Sequence, residues 1–430
     1  MIAKKSALPT VKPEEAGFSS ERLARIKPVM QKFIDRKWLP NAVMLVAREG
    51  KIVHCEALGY QDCARKTPAK TDTIFRLYSN SKAITGLATM ILYEEGKLNP
   101  DDPVSRYIPA FKNPVIVAAP GQAPTDGRGM GMLFATVPAK REITLRDCLR
   151  NTTGLATPER SPYWFLTQHK DILPETGWDL MGTLGSPPKK GYLHRAEMYA
   201  RLPLISEPGT EFIYHVGYPI IGAVIEIITG KSLEDFYQER IFQPLGMNDT
   251  SFYLDKKKLA RFSCCYQPVP EKGQWGMGIY DRAETSEKVK GTGKYCGAGG
   301  DMGGLLSTVA DYARFGQMLL NGGELDGVRI LGRKSVEVMT SSHTKNLVVP
   351  MLGAGFGFGL GVGVYLGSSP RPIMRSPGTF GWGGAAGTTF FADPKEKLLA
   401  LCFTQMFNAM MIPENNYQEE FERLVYQALI

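Results

Sequence analysis

At 430 residues the chain is longer than a single hydrophobic core usually serves, so two structural lobes are expected, interleaved in sequence or not. A content of 43% hydrophobic and 22% charged residues is that of a globular chain and excludes a disordered or membrane-embedded one. The net charge of +8 comes from Lys and Arg spread along the chain without long runs, which argues against nucleic acid or an anionic membrane as partner.

The N-terminal stretch MIAKKSALPTVKPEE has no apolar core that could act as a secretory signal, and no later stretch reaches membrane-spanning length; a cytoplasmic chain is expected. Leu23, Ile26, Met30, Phe33 and Ile34 then recur at helical spacing behind Ser19 and Ser20, which can cap a helix, and Pro28 is expected to kink it. The apolar runs Ala42 to Ala47 and Ile52 to Ala57 flank Glu49 and Gly50, the pattern of a β-hairpin. Ile84, Leu87, Ala88, Ile91 and Leu92 follow Ser79 at helical spacing, and Gly96 with Pro100 marks the stop. Ile143 to Leu149, Tyr218 to Ile228 and Leu233 to Ile241 predict further helices. Two Pro/Gly-rich stretches, about 113–140 and 157–191, are too long for plain connectors and are expected to form lids or pocket walls.

Strand patterns return late in the chain. Gly355 to Tyr365 alternates glycine with Phe, Leu and Val, and Thr388 to Asp393 turns through Pro394 into Leu398 to Gln405. A last helix covers about Asn415 to Leu429. Strands at both ends, with none convincing between, predict an α+β chain with one discontinuous antiparallel sheet: residues 1–78 and 296–430 form the sheet domain and 79–295 a mainly helical one.

No cofactor or metal is expected. Seven cysteines, an odd number without CxxC spacing, argue against a disulfide framework or a zinc site, and the adjacent Cys264 and Cys265 read as structural. The histidines at 54, 169, 194, 215 and 343 include no HxxxH pair, and the glycine clusters at 297–304 and 353–363 do not fit GxGxxG. The second cluster is expected to let a strand pack closely on a neighbour. No serine sits in the GxSxG elbow of an α/β-hydrolase.

What remains is Ser-x-x-Lys, which puts a hydroxyl and an amine one helical turn apart on one face, so that the amine can take or stabilise the hydroxyl proton. It occurs as Ser79 with Lys82, Ser186 with Lys189 and Ser342 with Lys345. Pro187 and Pro188 forbid a helical turn in the second, and the third lies in a polar stretch with no helix behind it. Ser79 alone stands where an apolar segment, Ile74 to Tyr78, meets a strong helix whose N-terminus favours a developing anion. On this motif by itself, Ser79 as a mere helix cap remains an equal alternative.

Read together, FRLYSNSKAITG around Ser79, ITLRDCLRNTTGL at 143–155, PGTEFIYHVGYPIIGAVIE at 208–226 and GGDMGGLLSTVADYARFGQMLLNGG at 299–323 resemble the serine β-lactamases and penicillin-recognising enzymes. GWGGAAGTTFFADP at 381–394 resembles the third motif of family VIII carboxylesterases. The resemblance implies a β-lactamase/transpeptidase-like fold, class C-like, with an antiparallel sheet flanked by helices and a mainly helical lobe. It implies Ser79 as nucleophile and Lys82 and Tyr214 as its partners, Tyr214 opening the second motif, Tyr214-His215-Val216. Val216 stands where β-lactamases carry asparagine, and His215 is expected in the pocket wall. Trp382-Gly383-Gly384 stands where they carry Lys-Thr-Gly, and Ala385 is implied as the second oxyanion donor beside Ser79.

The lysine of that motif helps dock a substrate carboxylate, and losing one charge-assisted contact costs about 1.5–3 kcal/mol. A neutral ester loses nothing, and Trp382 offers an aromatic wall instead. The expected partner is therefore a small ester and the expected activity a serine carboxylesterase acting on short-chain acyl esters. A β-lactamase or peptidase-type amide hydrolase, a biosynthetic acyltransferase and a catalytically idle penicillin-recognising scaffold are the alternatives.

Overall fold

A computed structural model describes residues 7–118, 135–157, 160–161, 165, 169–176, 191–271, 273–290, 297–299 and 304–430. Most of the two long Pro/Gly-rich stretches, including Ser186 and Lys189, lies outside them.

Ten strands matter for the site: β1 (Asn41–Arg48), β2 (Lys51–Asp62), β3 (Thr67–Pro68), β4 (Cys265–Glu271), β5 (Gln274–Asp281), β6 (Phe356–Phe358), β7 (Gly363–Tyr365), β8 (Phe380–Gly383), β9 (Thr389–Asp393) and β10 (Leu398–Phe403). Eight of them form one antiparallel sheet in the order β6-β7-β8-β9-β10-β1-β2-β3. The predicted hairpin closes through Glu49 and Gly50, both at positive φ, as a two-residue turn between twisted strands requires. The two ends of the chain meet where β10 pairs with β1, with Val43 opposite Phe403 and Arg48 opposite Leu398.

These central strands read as unbroken apolar runs because both faces are covered. Val43, Leu45 and Ala47 of β1 and Leu399, Leu401 and Phe403 of β10 point into the larger core. That core also takes the buried faces of α2 (Ser81–Glu94), α3 (Gly191–Ala200), α4 (Gly217–Thr229) and α5 (Val309–Leu320). The alternate residues, Ala42, Met44 and Val46 with Leu398, Ala400 and Cys402, face a second core under α1 (Ile26–Asp35) and α6 (Tyr417–Tyr426).

Several local expectations change. Pro28 does not kink a helix; it stands in the first turn of α1, where its missing N–H has no partner to lose. The break falls earlier, after a short turn at Ser20–Leu23 capped by Ser19, whose hydroxyl accepts from the Arg22 N–H. The single run predicted at Gly355 to Tyr365 is a pair, β6 and β7. The middle of the chain is not free of strands, for β4 and β5 form a hairpin and Val115–Val117 pairs with Thr136–Pro138.

Candidate active site

The segment leading to Ser79 is fixed before the serine is reached. Phe75–Arg76 pairs with Leu306–Ser307, and the Leu77 N–H donates to the Leu305 carbonyl at 2.7 Å. Arg76, almost wholly buried, donates to Asp281 at 2.9 Å and to the Ser263 carbonyl at 2.6 Å. Tyr78 then adopts φ 46°, a conformation that costs a non-glycine residue roughly 1–3 kcal/mol and persists only where surroundings enforce it. Its ring is held in a small apolar cluster with Cys265, Ala386, Ala385 and Phe407.

Ser79 lies in one 3-10 turn, Tyr78–Asn80, that runs directly into α2, so it does not cap the helix. Residues three apart eclipse in such a turn, and the Lys82 Nζ stands 3.0 Å from the Ser79 Oγ, donating to it. Lys82 is fully buried and Ser79 is 7% exposed. An ammonium cannot be buried without partners, and Lys82 also donates to the Gly299 carbonyl and presents Nζ to the ring faces of Tyr214, at 4.4 Å, and Tyr218, at 5.3 Å. Of the other Ser-x-x-Lys pairs, Ser342 and Lys345 lie in a loop, with Lys345 at positive φ.

The two tyrosines differ in what their oxygens meet. Tyr218 donates to the Leu149 carbonyl at 2.7 Å, and burial pushes its phenol well above 10. Tyr214 accepts at its oxygen from the Trp382 indole Nε1 at 2.7 Å. Trp382, on β8, is 8% exposed and packs edge-on against Phe358, so it is a buried strut and not an open wall. Gly363 of β7 lies beneath it, where a Cβ would come within 3.1 Å of the indole, and a Cβ on Gly361 would stand 2.6 Å from the Lys82 carbonyl. The alternating glycines thus let this edge of the sheet close on the site.

Tyr214 is held in place from behind. The His215 N–H donates to the Asn151 side chain at 3.2 Å and the Ile213 N–H to the Asn151 carbonyl at 2.7 Å. His215 sits at φ 86°, its ring 4.2 Å from that of Tyr214. Val216, 1% exposed, belongs to the core at the start of α4.

Beyond β8 the chain turns through Gly384 and Ala385. The Gly384 N–H donates to the Thr388 carbonyl at 2.6 Å, the Thr388 hydroxyl to the Leu77 carbonyl at 3.0 Å, and the Asn80 amide to the Thr388 carbonyl at 3.1 Å. The first bond closes the turn on itself, and the other two staple it to the residues on either side of Ser79. Gly384 approaches so closely that a Cβ would lie 2.2 Å from the Leu77 carbonyl oxygen. Gly383 and Ala385 are partly exposed, and the Ala385 carbonyl accepts from the Asn408 N–H at 2.9 Å.

The structure thus joins Ser79, Lys82, Tyr214 and Trp382 into one chain of contacts and brings the Gly384–Ala385 turn alongside. Sequence reasoning missed Gly299, Asn151, Thr388 and Tyr218. All four lay unmarked inside stretches that carry the resemblance, and Gly299 and Asn151 act through a backbone carbonyl and a side-chain amide, which carry no motif. Burial pushes the Cys265 thiol, beside Tyr78, up to about 12, which removes it as a rival nucleophile. Among the described residues no cluster of His, Cys, Asp or Glu is placed to hold a metal, and no helix is long and apolar enough to cross a membrane.

Comparison with known proteins agrees with the fold. A protein of Mycobacterium tuberculosis without a described activity is 30% identical over 385 residues, covering 86% of this chain and 87% of its own. A protein of Escherichia coli provisionally named a D-alanyl-D-alanine carboxypeptidase is 28% identical over 409 residues, covering 91% and 84%. Among solved structures, EstCE1, described as a hydrolase with promiscuous acyltransferase activity, superposes with a TM-score of 0.73 at 25% identity, covering 94% of this chain and 99% of its own. A family VIII carboxylesterase shares the fold at a TM-score of 0.63 and 19% identity, over 96% of this chain and 99% of its own. The Beta-lactamase family profile matches residues 26–423, and with a fold and relatives that agree, this chain belongs to the beta-lactamase family of serine hydrolases.

Proposed function

We propose that the protein is a carboxylesterase that hydrolyses short-chain acyl esters through an acyl-enzyme on Ser79. The observation that carries this reading is the Trp382 indole on the Tyr214 oxygen. A neutral donor occupies the place where the lactam-hydrolysing motif would put a lysine, so Tyr214 keeps a hydrogen-bond donor while a cation for docking a substrate carboxylate is lost from that position.

In this reading the Ser79 Oγ attacks the ester carbonyl and its proton passes to the Lys82 and Tyr214 pair. The pair returns the proton to the departing alcohol, and water then repeats the sequence on the acyl-enzyme. A free tyrosine ionises near pH 10, so a phenolate at neutral pH needs about 4 kcal/mol of help. An indole N–H aimed at the oxygen and an ammonium against the ring both act in that direction. Two groups in such contact titrate as a pair, and the proton belongs to both. The Ser79 and Ala385 N–H groups receive the oxyanion, with the stapled turn holding the second donor. His215, Val216, Gly383 and Gly384 shape the surrounding wall.

Ser79→Ala tests the reading: it abolishes hydrolysis of a nitrophenyl acetate while the circular dichroism spectrum is retained, and surviving turnover would remove Ser79 as nucleophile. Nitrocefin on the same preparation should turn over far more slowly than the ester, and a preference for the lactam reverses the ranking. The likeness to EstCE1 favours one further reading, acyl transfer to an alcohol, and product analysis with added alcohol separates it from hydrolysis.

A further inference from the structure

Behind Lys82, four buried residues form a hydrogen-bonded set that the reaction itself does not use. The Tyr237 hydroxyl donates to the Thr85 hydroxyl at 2.8 Å, and the Thr85 hydroxyl donates to the Ala298 carbonyl at 2.8 Å. From the other side, the Ala298 N–H donates to the Tyr192 hydroxyl at 2.9 Å. Ala298 is therefore gripped by both its backbone groups, and the next residue, Gly299, accepts from Lys82. Thr85, Tyr237 and Ala298 are fully buried and Tyr192 is 1% exposed.

Three hydroxyls in an apolar core are costly unless satisfied, and once satisfied they rigidify what they bind. Here the bound object is the turn at Ala298 and Gly299. Gly299 is pressed against α4, where a Cβ would stand 3.0 Å from the Tyr218 Cβ. The Tyr192 ring lies on Gly222 of the same helix, with a Cβ there 3.0 Å from the ring. Ala298 and Gly299 therefore cannot slide toward α4, and the three hydroxyls keep them from drifting away.

We propose that Tyr192, Thr85 and Tyr237 are positioning residues that hold the Gly299 carbonyl on the Lys82 ammonium and so set the proton affinity of that amine. The inference deepens the esterase reading by naming what tunes its proton carrier. A carbonyl dipole on the ammonium favours the charged form, so loosening it lowers the proton affinity of Lys82. Tyr214 and Tyr218 present their rings to the same ammonium, and Ser79 accepts from it; none of these is altered by the substitutions below.

The test uses Tyr192→Phe and Thr85→Val, which keep the packing shape and delete the hydroxyls, with Thr85→Ser as the conservative control. Lys82 is titrated by NMR in protein labelled with 15N-lysine, its resonance assigned by its disappearance in Lys82→Ala. The expected result is a titration midpoint lowered by roughly half a pH unit or more in both variants and restored in Thr85→Ser. With nitrophenyl acetate, kcat should fall about tenfold with KM nearly constant, and whichever limb of the kcat profile Lys82 governs should move to lower pH. An unchanged Lys82 midpoint in folded variants overturns the proposal, as does a uniform loss of rate with both limbs in place. The NMR reading does not depend on ester turnover, so failure of the clamp and failure of the esterase assignment are told apart.

Discussion

Trp382 meets Tyr214 with its ring, centroid to centroid at 5.7 Å, and with its indole nitrogen, which donates to the phenol oxygen at 2.7 Å. Trp382→Phe keeps an aromatic against Phe358 and removes the donor. A charge-assisted hydrogen bond is worth about 1.5–3 kcal/mol, so kcat for a short ester should fall about ten- to a hundredfold, with KM moving little. Stopped-flow hydrolysis of nitrophenyl acetate measures it, and an unchanged kcat would mean that the indole only packs. Ser79 and Lys82 stand out in the sequence as a spaced pair, and Tyr214 only through the resemblance of its stretch. The role of Trp382 was legible only as an absence of lysine, because the bond it makes joins residues 168 positions apart. Gly299 opens a stretch that carries the resemblance, but nothing singled it out, because it contributes a carbonyl that every residue possesses.

At the scale of elements, the turn after β8 depends on Thr388, whose hydroxyl reaches the Leu77 carbonyl while its own carbonyl and hydroxyl accept from Asn80. Thr388→Val conserves shape and deletes the hydroxyl's bonds to Leu77 and Asn80 while its carbonyl keeps its own; under the proposed mechanism it should lower kcat about tenfold through a displaced Ala385 N–H while the protein stays folded. Loss of folding at equal activity per folded molecule would assign Thr388 to stability alone. A second element carries the opposite expectation. Asp147, whose side chain is wholly buried, caps Leu145–Leu149 with Thr144 and takes Arg141 and Arg150 as partners. Burial would raise its carboxyl, but these donors outweigh burial and hold it down at about 2. Asp147→Asn removes the charge that Arg141 and Arg150 share, while each guanidinium keeps a backbone carbonyl as acceptor, and should cost about 2 kcal/mol in urea unfolding. The strands β1, β2, β9 and β10 were legible because their apolar runs are long. The β4–β5 hairpin was not, since Pro268 and Pro270 interrupt the strand pattern; both lie in a hairpin outside the large sheet, where a missing N–H is tolerated. The break between β6 and β7 was hidden by glycines at every second position, which suit a strand and a tight turn alike.

For the molecule as a whole, the sheet that joins its two ends was readable from patterns at both ends, whereas the placement of the middle segments against it depends on buried polar ties that no periodicity reports. One such tie gives a pH dependence. Asp311, in the first turn of α5, accepts from the Asp249 N–H at 2.7 Å and the Thr250 hydroxyl at 2.9 Å, linking α5 to the loop after Leu245. Burial is the largest influence on its carboxyl and raises it to about 6. A carboxyl that ionises less readily folded than unfolded holds its proton better in the native state. Its contribution to stability therefore rises as pH falls through 6 and is complete below its ordinary value of 3.8. The span corresponds to about 3 kcal/mol. His54 and His343, both lowered chiefly by burial, oppose it, since each loses stability as pH falls through the ordinary histidine value. Asp147 acts only later, its contribution persisting until pH falls from 3.8 toward 2. Comparison with Asp311→Asn cancels these shared effects. The amide oxygen can accept both hydrogen bonds without a charge, so at pH 7 the variant should be more stable than the parent by about 1–3 kcal/mol, and that advantage should shrink toward zero by about pH 4. Urea midpoints measured at both pH values decide it. An advantage that does not change with pH would show that Asp311 is already neutral at pH 7 or ionises freely in the folded state, and a variant less stable at pH 7 would make the ionised carboxylate, held at the N-terminus of α5, the stabilising species.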